Sequence, residues 1–161
     1  EMETATDCQA CEGSLYRIDA GGTFAAAAKC ECATPCSRCG GAGIVVSFDG
    51  DSSFAEPCEC AALERRIRLY NEACLPSKFA NKWIEDLDDR DHTQKEAKYA
   101  LLSHQDSFEQ SGRGFLLWGK PGVGKTHLLC GLVGYLTLEI VFSARYVYFI
   151  HFLYYFNKSY S

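Results

Sequence analysis

No stretch of this chain is both apolar enough and long enough to cross a bilayer. The longest uncharged runs near its end, Thr126 to Leu138 and Tyr146 to Asn157, fall short of the ~20 residues that a span requires. Glu139 and Arg145 interrupt them. No positively charged segment followed by an apolar core opens the sequence, so an export signal is not expected. Glu1 stands where an initiating Met would, and the sequence reads as starting inside a longer protein. These absences point to a soluble, cytoplasmic protein with no membrane partner. Basic residues are also scarce at the front. Residues 1–60 hold 3 basic side chains (Arg17, Lys29 and Arg38) against 10 acidic ones, residues 61–111 hold 8 against 10, and residues 112–161 hold 5 against 1. A surface that tracks nucleic acid needs Lys and Arg to displace counterions. The first sixty residues are therefore expected to repel phosphates and to contact protein, or to be purely structural.

What the chain has in excess is cysteine. With 161 residues, 47% apolar and 23% charged, it is globular in composition and can hold one domain, or a small module plus part of a larger one. Eight of its 10 cysteines lie in the first 60 residues, in two copies of one pattern. Cys8-x2-Cys11 and Cys30-x-Cys32 recur 28 positions later as Cys36-x2-Cys39 and Cys58-x-Cys60, and Gly13 recurs as Gly41. A repeat of this kind marks a duplicated module. Paired Cys-x2-Cys turns aim two thiolates at one tetrahedral metal, and a second pair from a distant strand end completes four ligands. Between the pairs, "SLYRIDAGGTF" and "GIVVSFDGDSSF" read as short hairpins turning at Gly21-Gly22 and Asp49-Gly50. Two zinc ribbons, residues 8–32 and 36–60, are the expectation, each with a core made mostly of metal. Disulfides would need an oxidising compartment, an iron–sulfur cluster uses other spacings, and "CECATPCSRC" packs four cysteines closely enough for ligands to pair across modules. Sequential pairing is favoured over interleaved pairing.

Residues 61–111 read as a helical connector. "AALERRIRLYNEACLPSKF" begins as a helix with Leu63, Ile67 and Tyr70 on one face, Arg65, Arg66 and Arg68 on the others, and Pro76 as its stop. A solvated face is a slightly better account of the arginines than a phosphate contact. Trp83, Ile84 and Leu87 are the expected anchors of an acidic loop. A second helix over residues 92–110 is expected to bury Ala97, Ala100, Leu101 and Phe108. Cys74 reads as a small buried residue, and His92 and His104 as surface or capping residues.

"GFLLWGKPGVGKTHLLCGLVGYL" then supplies the parts of a phosphate loop in order. Phe115 to Trp118 reads as a short strand suited to a sheet centre. Gly119, Lys120, Pro121, Gly122, Val123, Gly124, Lys125, Thr126 and His127 follow, matching the glycine–x4–Gly-Lys-Thr pattern between a strand and a helix. Its glycines permit the curl that turns successive N–H groups toward phosphates, and the helix adds its positive end. Lys125 would reach the β- and γ-phosphates of ATP, and Thr126 would hold Mg²⁺. Residues 127–136 are expected to form the helix, with Leu128, Leu129, Leu132 and Val133 on the sheet. Arg145 to Phe149 reads as a second strand.

The zinc frame, the Ala73-Cys74-Leu75-Pro76-Ser77-Lys78-Phe79 entry and the Gly119 to His127 motif together resemble the DnaC/IstB-type ATPases, the bacterial helicase loaders and their transposition-helper relatives. The resemblance covers roughly residues 60 to 156. It implies an α/β fold in which a P-loop (AAA+) parallel sheet, truncated over residues 112–161, follows the tandem zinc modules (1–60) and the helical linker (61–111). It also implies homo-oligomeric ATP hydrolysis, a replicative helicase or a transposase as partner, and DNA contact through the full-length assembly. The acidic Walker B strand end, sensor and arginine finger of that family are not present in the sequence, so nucleotide binding without turnover is the expectation for these residues. Two other classes stay open. One is an interaction module with a vestigial nucleotide domain. The other is a chaperone-like zinc protein, since Cys36-Ser-Arg-Cys-Gly-Gly-Ala-Gly resembles one DnaJ-type knuckle.

Overall fold

The computed structural model describes residues 8–50, 52–111 and 114–158. Two antiparallel hairpins open the chain: β1 (Tyr16–Asp19) with β2 (Ala26–Lys29), and β3 (Ile44–Asp49) with β4 (Ser52–Pro57). Four helices follow: α1 (Ala61–Glu72), α2 (His92–Ser111), α3 (Lys125–Leu138) and α4 (Phe149–Lys158), with a 3₁₀ turn at Ser77–Phe79 between the first two. None of the described helices is long and apolar enough to cross a membrane.

The duplication seen in the cysteines extends to the backbone. The pairs Ile18↔Ala27 and Val46↔Ala55 are 28 residues apart, so the two hairpins share one register. The Cys30 N–H donates to Leu15 O (2.9 Å) and the Cys58 N–H to Gly43 O (2.8 Å), again 28 apart. Left-handed residues recur in step too: Glu12 with Gly40, Gly13 with Gly41, and Leu15 with Gly43. The second copy thus has glycine at all three of these positions, where a side chain is disfavoured. The first copy carries Glu12 and Leu15 at two of them.

The hairpins differ in what covers them. The first is built into the core: Tyr16, Ala25 and Ala27 pack with Tyr70, Ala73, Leu75, Cys130 and Leu138, and Ile18, Leu63, Ile67 and Val133 close round them. Asn71 on α1 fixes the edge of β2, its Oδ1 accepting from Ala27 N–H (2.6 Å) and its Nδ2 donating to Ala27 O (3.0 Å). Lys29 and Glu64 form an ion pair across the same junction. The second hairpin stands in solvent, with every residue of β4 exposed.

Helix α3 is the axis of the fold. It is apolar nearly all round, as a helix buried on several sides must be. Cys130 and Leu138 face the first cluster, while Leu128, Leu132 and Leu136 face a second one with Ile84, Leu87 and Leu101. Gly131 permits this packing, since a Cβ there would lie 2.8 Å from Ile84 N.

These facts correct the expected fold. The described residues contain no parallel P-loop sheet; their only sheets are the two antiparallel hairpins. Residues 115–118 and 145–148 form no strand: Tyr146 N–H donates to Ala73 O at 2.8 Å in the loop after α1, and Phe149 begins α4. Leu116 is 83% and Trp118 85% exposed, the opposite of a strand at a sheet centre. The reason lies in α3, whose apolar surface is taken up by α1, α2, the 83–87 segment and the first antiparallel hairpin, and not by a parallel sheet. Smaller corrections follow. Ala100 is exposed and Cys74 half-buried. Helix α1 ends at Glu72, with Cys74 in the left-handed region just beyond, before Pro76 is reached. The side chain of Phe108 lies outside the described residues.

Candidate metal centres and phosphate loop

The eight thiols assemble into two groups of four: Cys8, Cys11, Cys30 and Cys32 in one, Cys36, Cys39, Cys58 and Cys60 in the other. Within each group all Sγ atoms lie within 4.8 Å of one another. The pairing is therefore sequential, one group per hairpin. The closest approaches are 3.8 Å (Cys8–Cys30), 3.4 Å (Cys11–Cys32), 3.7 Å (Cys36–Cys58) and 3.2 Å (Cys39–Cys60), and all eight cysteines are free of disulfides. A tetrahedron with Zn–S bonds of ~2.3 Å has S···S edges of about 3.8 Å, so the cages fit a tetrathiolate zinc ion with small adjustments.

Local backbone chemistry places each thiol. The Cys-x2-Cys turns close through Glu12 N–H to Cys8 O (2.8 Å) and Gly40 N–H to Cys36 O (2.7 Å). The left-handed residues after Cys11 and Cys39 then curl the chain so that N–H groups face sulfur, as Gly43 N–H does toward Cys39 Sγ at 3.4 Å. Such donors favour thiolate over thiol. Cys39 is pulled down to about 6, chiefly by the hydrogen bond from Cys60 and with help from the Gly43 and Gly41 amides, while Cys60 is pushed up to about 12. In the first group, burial opposes charge on Cys11, yet hydrogen bonds from Cys32 and the Leu15 and Gly13 backbone bring it down to about 7. Hydrogen bonds thus favour the thiolate at Cys11, Cys36 and Cys39, the form that binds a cation. The remaining cysteines differ. Cys130 is buried, and burial pushes its thiol up to about 12, so it is a neutral core residue. Cys74 Sγ points to Glu72 O at 3.5 Å and joins no cluster.

The Gly119 to His127 segment has its own geometry. Gly119, Gly122 and Gly124 have φ of 142°, 83° and 97°, conformations that favour glycine. Gly124 is the N-cap of α3, and no side chain caps the helix there. Lys125 Nζ donates to Gly119 O (3.0 Å) and Lys120 O (2.7 Å), folding its ammonium back across the loop. The loop is braced from one side: Gln94 Nε2 donates to Val123 O (3.3 Å), Leu87 lies under Gly124, and His127 Nε2 meets Trp83 O at 2.7 Å. Lys120, Pro121 and Gly122 are exposed; Val123, Lys125 and Thr126 are half-buried. The bracing role of His127 and Gln94 was missed by sequence reasoning, because it joins residues 29 and 44 positions apart.

Compared with known protein families, curated proteins and solved structures, the chain matches none. The likeness to helicase loaders therefore rests on its motifs alone.

Proposed function

We propose that this chain is a zinc-stabilised, ATP-binding protein of the helicase-loader type, its cysteine modules contacting a protein partner and its Gly119 to Thr126 loop taking the phosphates of ATP with Mg²⁺. The observation that carries the nucleotide reading is Lys125 Nζ resting on two loop carbonyl oxygens at the uncapped start of α3. That ammonium is held where phosphate oxygens would be better partners, and the free N–H groups of the helix end add the complementary dipole. Zinc follows from the donor set, since four thiolates at tetrahedral spacing suit that ion. Bound there, zinc supplies folding free energy and no chemistry.

The acidic balance of residues 1–60 favours a protein partner for the cysteine modules, with the replicative helicase as the proposed target. The test is calorimetric titration of the zinc-loaded chain with ATP–Mg²⁺, beside elemental analysis of the same sample. Two zinc ions per chain and saturable ATP binding are expected, with Lys125→Ala weakening binding at least about tenfold, as loss of a charge-assisted contact does. An unchanged affinity in Lys125→Ala would overturn the nucleotide reading. One zinc ion or none would overturn the metal reading.

A further inference from the structure

We infer that the second hairpin is a docking face for an amphipathic helix of a partner protein, received as the first hairpin receives α1. The inference rests on the reading that the cysteine modules hold metal and contact protein, and it names the face and the kind of partner. Adding 28 to Tyr16, Ile18 and Ala27 gives Ile44, Val46 and Ala55, in the same hairpin register. In the first copy this face is covered: it packs with Leu63, Ile67 and Tyr70, and Asn71 holds the backbone of Ala27. In the second copy the same face is bare. Ile44 and Val46 are each 53% exposed and Phe48, which the alternation of β3 places beside them, is 78% exposed. Among the described residues no side chain reaches the N–H or C=O of Ala55, the position matching Ala27. Three large apolar side chains on one face of a small hairpin are a contiguous patch of the sort that marks an interface.

The repeat says what fits this face. Its cover in the first copy is a helix with apolar residues at i, i+4 and i+7 (Leu63, Ile67, Tyr70) and an amide at i+8 (Asn71). Charge selects the rest. Residues 36–60 carry Arg38 against Asp49, Asp51, Glu56 and Glu59, and a tetrathiolate zinc site adds further negative charge. The partner helix therefore bears basic residues beside its apolar stripe, as α1 bears Arg65, Arg66 and Arg68. The same acidity disfavours nucleic acid. A second copy of the chain cannot offer α1, which is already committed to its own core with Tyr70 only 2% exposed.

A hydrocarbon-stapled, fluorescein-labelled peptide of the α1 sequence, residues 61–72, is the probe, titrated into the full zinc-loaded chain and followed by anisotropy. The staple is needed because so short a helix is marginal in water. Saturable binding is expected, weakened about tenfold or more by Val46→Ser with Phe48→Ser, since each removes buried apolar area from the complex. Both positions are exposed, so the variant chain should keep its two zinc ions, which elemental analysis checks. Binding that ignores these substitutions overturns the inference, as does no binding by a chain carrying two zinc ions, which leaves the metal reading intact. Fewer than two zinc ions overturns both. Dimers seen by sedimentation and abolished by Phe48→Ser would assign the face to self-association and overturn the heterologous partner.

Discussion

Removing one thiol from each metal cluster in turn should have unequal consequences. A structural zinc site contributes about 10–16 kcal/mol to the unit it folds, which rivals the ~5–15 kcal/mol that holds a whole domain together. What differs is how much of the molecule hangs on each unit. Loss of the first site frees Tyr16, Ile18, Ala25 and Ala27 from the cluster they share with Tyr70, Cys130 and Leu138, and releases both Asn71 hydrogen bonds. Loss of a large buried aromatic costs about 3–5 kcal/mol and each hydrogen bond about 1 kcal/mol, giving roughly 5–7 kcal/mol. At ~2–4 °C per kcal/mol for a chain of this size, Cys11→Ser should lower the melting temperature by more than about 10 °C or abolish the cooperative transition. The second hairpin buries no large apolar side chain against the helices. Cys39→Ser should therefore lose one zinc ion and shift the melt by less than about 3 °C. Near-UV circular dichroism gives the melt, and a chromogenic chelator counts the metal. Equal shifts in the two variants would refute the claim that only the first module shares the core.

Other outcomes can be checked alongside. Gly131→Ala puts a Cβ 2.8 Å from Ile84 N and 3.0 Å from Trp83 C, both backbone atoms that cannot swing aside, so a loss of about 1–3 kcal/mol is expected in denaturant unfolding. Asn71→Ala removes two bonds to Ala27 and should cost about 1–3 kcal/mol, while Asn71→Asp should restore only the bond accepted from Ala27 N–H. Acid should strip both metal sites, because thiols must be deprotonated to bind: protons compete as pH falls, and raising pH should not release metal.

The metal sites were legible in the sequence because cysteine spacing is covalent information: the 28-residue repeat predicts both cages, and the structure pairs them in sequence. The hairpins were legible for a similar reason, since Gly21-Gly22 and Asp49-Gly50 lie between alternating strands. The sheet was expected wrongly. An apolar run such as Phe115 to Trp118 carries no mark of what will pair with it, and α3 found its cover in Trp83, Ile84 and Leu87, which were read only as loop anchors. Nor could spacing reveal that two modules with one cysteine frame would have opposite fates. That depends on Asn71 and Tyr70 reaching back 44 and more residues to the first hairpin.

The hydrogen bond between His127 and the Trp83 carbonyl has an optical consequence. The chain has only two tryptophans, and each is tied to the phosphate loop, one by adjacency in the chain and one by a hydrogen bond. Trp118 immediately precedes Gly119 and is open to water, while Trp83 is half-buried against α3, with its own carbonyl held by the histidine that follows the loop. Their emission should differ in colour, the exposed indole redder than the sheltered one. Movement of Lys125 and its neighbours is therefore expected to register in two intrinsic fluorophores of distinct environments, which tryptophan emission on adding ATP–Mg²⁺ would read.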